Sequence, residues 1–312
     1  MAGFAFVFPG QGSQSVGMLD AWGDHPAVRG TLDEASQALG EDIGRLIHAG
    51  PKDALELTTN TQPVMLTAGI ACWRAWLAET GREPQVLAGH SLGEYTALVA
   101  AGVLGLSDAL PLVRLRAQAM QRAVPVGQGA MAAILGLEAA TVQAVCAEVQ
   151  TSTGQVVSAA NFNDPRQTVI SGAKAAVDAA CEALKAAGAK RALPLAVSAP
   201  FHCALMKPAA DELRPALERT RFEAPRIEVL NNIDVRAEQG AEAIRDALVR
   251  QAYGPVRWVE IVQAMRARGA GVIIECGPGK VLSGMAKRID PELRTTTVLD
   301  PATLAQAKEL LS

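Results

Sequence analysis

Two hydrophobic rhythms alternate along this chain. Short apolar runs, "FAFVF" from Phe4, "VLAG" from Val86, "RIEVL" from Arg226 and "GVIIEC" from Gly271, read as strands. Longer segments between and after them read as helices, as expected of an α/β sheet. One helix is predicted from Ser107, with the serine as its cap, to the Val124-Pro-Val-Gly127 break. From there the pattern changes. "AMAAILGL" reads as a strand and "EAATVQAVCAEVQ" as a helix, followed by two strands, "QVVSAANF" and "QTVISGA", joined through Asn163-Asp-Pro165. "AAVDAACEALKAAG" is then a helix and "RALPLAVS" a strand. This β-α-β-β-α-β order is the ferredoxin-like signature. Residues 128–197 are therefore expected to form a small subdomain inserted into a large α/β core built from 1–127 and 198–312. No internal repeat or low-complexity tract interrupts the pattern.

Composition narrows the function classes. The 312 residues are 49% hydrophobic and 20% charged, with a net charge of −3, as in a globular protein with one large or two smaller domains. There is no basic excess for nucleic acid, and 4% aromatic residues are too few for base-stacking platforms. No signal-peptide pattern opens the chain and no apolar run reaches membrane-span length, so no membrane partner is expected. Five scattered cysteines, with no CxxC, fit a reduced cytoplasmic protein that holds no structural metal.

The chemistry gathers around "GHSLG", where Ser91 stands between Gly89 and Gly93 after a strand and before a helix. That context makes Gly-x-Ser-x-Gly a nucleophile elbow; the alternative is a small residue in a tight strand-to-helix turn. The following helix N-terminus would offer N–H groups to an oxyanion. A serine needs a base, and the chain has four histidines. His25 and His48 read as surface residues, and His90 adjoins Ser91 closely enough to shape the turn rather than reach its oxygen. His202, in "SAPFHCALMKPA", is left as either the base or an ordinary loop histidine. Cys203 is a weak rival nucleophile. In the helix after Ser107, Arg116 falls among Leu112, Val113, Met120 and Ala123, whereas Arg114 groups with Gln118 and Gln121. A guanidinium on an apolar face needs an anion, either an internal carboxylate or an anionic substrate. The Gly-rich loops "GQGSQSVG" and "GPGKVLSG" depart from nucleotide-binding spacings. The first loop fits better as a source of an oxyanion N–H from Gln11.

Together, "FVFPGQGSQ", "TQPV", "GHSLGEYTALVAAG", "VPVGQGAMAAILGL", "NFN", "APFHCALMKPA" and "GPGKVLSGMAKRI" resemble the malonyl-CoA:acyl carrier protein transacylases nearly end to end. The resemblance implies a hydrolase-like parallel-sheet core with a ferredoxin-like insert. It also implies Ser91 as acyl acceptor, His202 as base, and the N–H groups of Gln11 and Leu92 as oxyanion hole. Arg116 would hold the malonyl carboxylate, and the main-chain carbonyl of Gln251 would orient the histidine. Phe201 matches the phenylalanine beside the histidine in malonyl-selective relatives, although Ala199 and Pro200 before it differ from the multidomain synthases. Malonyl-CoA and acyl carrier protein are the implied partners, with no tightly bound cofactor, in fatty acid biosynthesis. Two other readings remain at this stage. An α/β-hydrolase esterase or thioesterase would need an acidic triad member before a late histidine. A non-catalytic carrier-protein scaffold would leave Arg116 unexplained.

Overall fold

The computed structural model describes residues 3–312 and contains nine strands among them. In chain order they are β1 (Gly3–Phe8), β2 (Val86–Gly89), β3 (Gly129–Leu135), β4 (Val157–Asp164), β5 (Gln167–Ala173), β6 (Arg191–Pro194), β7 (Glu228–Leu230), β8 (Ala270–Cys276) and β9 (Arg294–Val298). They build two sheets. The first, in the order β7-β2-β1-β8-β9, is parallel throughout.

Strand β1 shows why this sheet is buried on both faces. Its side chains alternate: Phe4, Phe6 and Phe8 enter one core, while Ala5 and Val7 enter the other. The phenylalanines meet Trp73 and Trp76 of the helix Thr58–Thr80 edge-on, with ring centroids 5.2 to 6.5 Å apart across the sheet–helix contact. Helices on the opposite face close over Ala5, Val7 and Ile273 with Trp258 and Ile261. Parallel strands all end at the same edge. The carboxyl ends of β1, β2 and β7 accordingly place Gln11, Ser91 and Asn232 in neighbouring loops.

The second sheet, β4-β5-β3-β6, is antiparallel. Ala132 and Ile134 of β3 pack against the helices Ala139–Thr153 and Lys174–Ala186, whereas Met131 and Ala133 face Phe201 and Val197. Its element order and strand arrangement are those of a ferredoxin-like unit. Strand β4 ties this unit to the large core. Phe162 donates to the Val256 carbonyl at 2.9 Å, Val256 donates to that of Ala160 at 2.9 Å, and Arg288 reaches Asp164 at 2.7 Å.

Three local expectations are corrected. Ser107 is not a cap: the helix begins at Leu106 with Gly105 as N-cap, and Ser107 Oγ donates to Glu34 instead. The last small-sheet strand stops at Pro194 rather than Ser198. The Leu195 N–H still donates to the Met131 carbonyl of β3 at 2.9 Å, and Leu195, Ala196 and Val197 then line the cleft. Strand β4 runs through Asn163 and Asp164, leaving Pro165 and Arg166 as the hairpin turn.

Candidate active site

A cleft of about 560 Å³ lies between the two sheets, lined by Gln11, Ser91, Leu92, Arg116 and His202 from the core and by Met131 and Asn161 from the small sheet. Ser91 sits where β2 gives way to the helix Gly93–Ala100. Its φ is +53°, a left-handed backbone that a serine adopts at a cost and that lifts its side chain out of the turn. His202 is also left-handed, at φ +60°. Its Nε2 lies 2.7 Å from Ser91 Oγ across 111 residues of sequence. On the other side of the ring, Nδ1 faces the carbonyls of Gln251 at 3.0 Å and Gly254 at 3.2 Å. Two carbonyls can only accept, so Nδ1 carries the proton and Nε2 is the free acceptor for the serine O–H. No carboxylate meets Nδ1 among the described residues.

Burial, then the nearby charge of Arg116, pushes the His202 pKa down to about 3, against the pull of the two carbonyls. The imidazole is thus a neutral base at neutral pH. The oxyanion side is open. Neither the Leu92 nor the Gln11 N–H has a protein partner among the described residues, and both residues line the cleft. Gln11 is held from its side chain, which donates to Thr58 Oγ1 at 3.2 Å, and Thr58 meets Ser198 Oγ at 2.8 Å.

Arg116 is 2% exposed, on the buried face of the helix Leu106–Ala123. Its guanidinium donates to Gln62 Oε1 at 2.9 Å, Gln251 Oε1 at 2.9 Å and Ser91 Oγ at 3.1 Å, and it lies 5.6 Å from the centre of the Tyr95 ring. Its Nε has no partner, and no carboxylate forms an ion pair with it among the described residues. Arg114, by contrast, points outward and takes both oxygens of Glu41.

The acyl transferase domain family matches residues 5–294. The chain belongs to that family. In curated relatives, this acyl transferase is 53% identical over 311 residues to the malonyl CoA-acyl carrier protein transacylase of Escherichia coli (strain K12), covering 99% of this chain and 100% of that one. It is 44% identical to the corresponding protein of Bacillus subtilis, over 100% of this chain and 98% of the other. Among solved structures, an acyl-carrier-protein S-malonyltransferase from Burkholderia pseudomallei superimposes with a TM-score of 0.96 at 63% identity, covering 98% and 99% of the two chains. A malonyl-transacylase solved in complex with a holo type II PKS acyl-carrier protein gives 0.96 at 52% identity, over 99% and 100%.

The candidate site brings together all seven residues carried over from the sequence. Gln251 lies behind the cleft wall, fully buried, and Phe201 lines the cleft while packing on the small sheet. Other candidates fall away. Cys203 is 1% exposed, its thiol turned to the Pro200 carbonyl and its pKa pushed up by burial. His48 is a surface residue beside Asp20. His25 is not: its side chain is 16% exposed and caps the helix Pro26–Leu39 by accepting from Ala27 N–H. His90 reaches across to Asn163 of β4 at 2.9 Å, joining the elbow to the small sheet.

Sequence reasoning missed four residues: Gln62, Asn163, Asn232 and Glu94. Gln62 and Asn163 lay within the motifs "TQPV" and "NFN", Asn232 carried no signal, and Glu94 carried one in its local pattern. It is the one charged residue in the apolar helix "GEYTALVA", the argument that had picked out Arg116. It is 2% exposed, and burial raises its pKa to about 7 despite hydrogen bonds from Gln251 and Asn232.

Proposed function

We propose that this chain transfers a malonyl group from malonyl-CoA to the phosphopantetheine thiol of acyl carrier protein, by a ping-pong route through a malonyl ester of Ser91, supplying fatty acid biosynthesis. The relatives' names support the substrate pair. The observation that carries the reading in this chain is Arg116, a buried cation without a carboxylate partner, 3.1 Å from the candidate nucleophile. An acyl group bearing a free carboxylate supplies the missing anion.

His202 Nε2 takes the Ser91 proton as Oγ attacks the thioester carbonyl. The tetrahedral oxyanion is received by the Gln11 and Leu92 N–H groups. Its collapse breaks the carbon–sulfur bond, and the coenzyme A thiolate leaves with the proton from the imidazolium. In the second half the carrier thiol gives its proton to His202, attacks the malonyl-serine ester, and Ser91 regains its hydrogen. A thioester is activated and its thiol leaves easily, so a Ser–His dyad oriented by main-chain carbonyls suffices without a bound cofactor. Water must be kept from the ester, or transfer becomes hydrolysis.

Intact-mass spectrometry after mixing with malonyl-CoA tests this. A malonyl adduct is expected on Ser91, removed by holo acyl carrier protein, absent in Ser91→Ala, and formed roughly 10²–10⁴-fold more slowly in His202→Ala. Net hydrolysis of malonyl-CoA in place of carrier loading would mark a thioesterase. An adduct mapped to Cys203 would overturn the serine mechanism.

A further inference from the structure

We propose that Glu94 is a positioning residue for this reaction: its buried carboxylate gathers the two residues whose side chains hold the backbone of Ser91 and, through one of them, the base and the arginine. The proposal rests on the transfer reaction read above and adds a residue to it.

Glu94 stands three positions after Ser91, in the first turn of the elbow helix. Its Oε2 accepts from the Asn232 backbone N–H at 2.9 Å and from Gln251 Nε2 at 3.1 Å. Each of these residues then reaches Ser91. Asn232 Oδ1 accepts from the Ser91 N–H at 2.7 Å, while Asn232 Nδ2 donates to the Gly89 carbonyl at 2.7 Å. Gln251 Nε2 donates to the Ser91 carbonyl at 2.9 Å. Both peptide groups flanking a left-handed serine are thus held by groups that end on one carboxylate.

The orientation of the Gln251 amide follows. Two acceptors, Glu94 Oε2 and the Ser91 carbonyl, claim its NH₂, so Oε1 turns the other way and receives Arg116. The main-chain carbonyl of the same residue holds His202 Nδ1–H. Two elements carry this grip, the loop after β7 and the helix Ala241–Tyr253. Arg250 locks them to each other by taking both oxygens of Asp234, at 2.9 and 2.6 Å. A displacement of the Gln251 arm is therefore felt at nucleophile, base and arginine together, and one of the Asn232 arm at the nucleophile. A shift of about 1 Å in such a constellation costs on the order of 10²-fold in rate.

Single-turnover acylation of the full chain tests this, read as a rate constant per loaded site and as a burst amplitude, with malonyl-CoA and with acetyl-CoA. Glu94→Leu removes the acceptor and is expected to lower the rate constant about 10²-fold for both donors, because Ser91 and His202 serve both, while the amplitude holds. Glu94→Gln keeps an acceptor oxygen and is expected to recover the rate to within about tenfold of wild type. A wild-type rate constant in Glu94→Leu overturns the proposal, as does a loss confined to the amplitude, which reports only fewer folded sites. A loss confined to malonyl transfer, or a glutamine no better than leucine, overturns it too, since the role would then lie in the charge or in Arg116 alone. Should Glu94→Leu not fold, Asn232→Ala removes the acceptor for the Ser91 N–H and must show the same loss with both donors. Failure of the parent reading is distinguishable, because wild type itself would then form no ester on Ser91.

Discussion

On the reading proposed above, the specificity of the site rests on one side chain, Arg116. A buried guanidinium with only neutral hydrogen-bond partners gains from an anion, and a carboxylate is the anion that matches its planar fork. Removing one member of a buried charge pair costs about 2–5 kcal/mol. Arg116→Ala is therefore expected to lower kcat/KM for malonyl transfer roughly 30- to 4,000-fold. Acetyl transfer, with no carboxylate to lose, is expected to hold steady or rise, and Arg116→Lys to rescue poorly. Equal losses for both donors would make Arg116 a structural residue. The position was legible because helical spacing places it among apolar neighbours. Its true partners were not, since Gln62 and Gln251 lie 54 and 135 residues away in the chain.

The elbow is the element on which the site depends, and its glycines act by leaving space. A Cβ on Gly93 would lie 2.1 Å from the Phe8 carbonyl oxygen and 3.1 Å from that of Pro9, both backbone atoms leading into the Gln11 loop. One on Gly89 would lie 1.8 Å from the Gly93 backbone. Strand β1, the elbow and the Gln11 loop are packed main chain to main chain, so a methyl group has to push one of them aside. Gly93→Ala is expected to destabilise the protein by about 1–3 kcal/mol and to depress acylation in the molecules that still fold. Gly30 is the contrasting case. It is an exposed position in the helix Pro26–Leu39 with open space around its would-be Cβ, so Gly30→Ala is expected to stabilise by about 0.5–1 kcal/mol. Urea unfolding midpoints of the two variants check both signs. An unchanged midpoint for Gly93→Ala would show that β1 yields more readily than this packing implies.

At the scale of the molecule, the site costs stability in a pH-dependent way. Glu94 has an ordinary pKa of 4.5 when unfolded and about 7 when folded. The charged groups acting on it are Arg116, which lowers the value, and Asp234, which raises it. With the folded value raised, the native state binds the extra proton, so this contribution to stability is intact below pH 4.5 and lost as pH climbs through 7. Glu94→Gln cannot ionise. Its Tm relative to wild type is expected to rise between pH 4.5 and 7 and to level off above that. A Tm difference that is flat over this range would mean the carboxyl is not titrating inside the fold. A variant more stable at neutral pH yet slower in acylation is the pattern expected of a group kept for the site rather than for the fold.

The sequence alone determined what depends on local pattern and side-chain type. Short apolar runs and helical segments marked the α/β flanks and the β-α-β-β-α-β order between them, and glycines at both sides of Ser91 marked the elbow. An arginine on an apolar helical face marked the anion site, and motif order along the chain marked the family. The tertiary structure decided everything that depends on which distant segments meet. Strand β6 ended at Pro194 because the residues after it line the cleft, which no periodicity records. The Gln251 carbonyl beside His202 was implied by the resemblance, but the left-handed backbone of His202 and its second carbonyl, that of Gly254, came from packing, since nothing in "APFHC" requires them. Asn232 and Glu94 join the site only because parallel strands end at one edge, bringing the loop after β7 beside the elbow after β2. Hydrophobic burial is written along the chain residue by residue, whereas a hydrogen bond between residues 138 positions apart exists only once the sheet has closed.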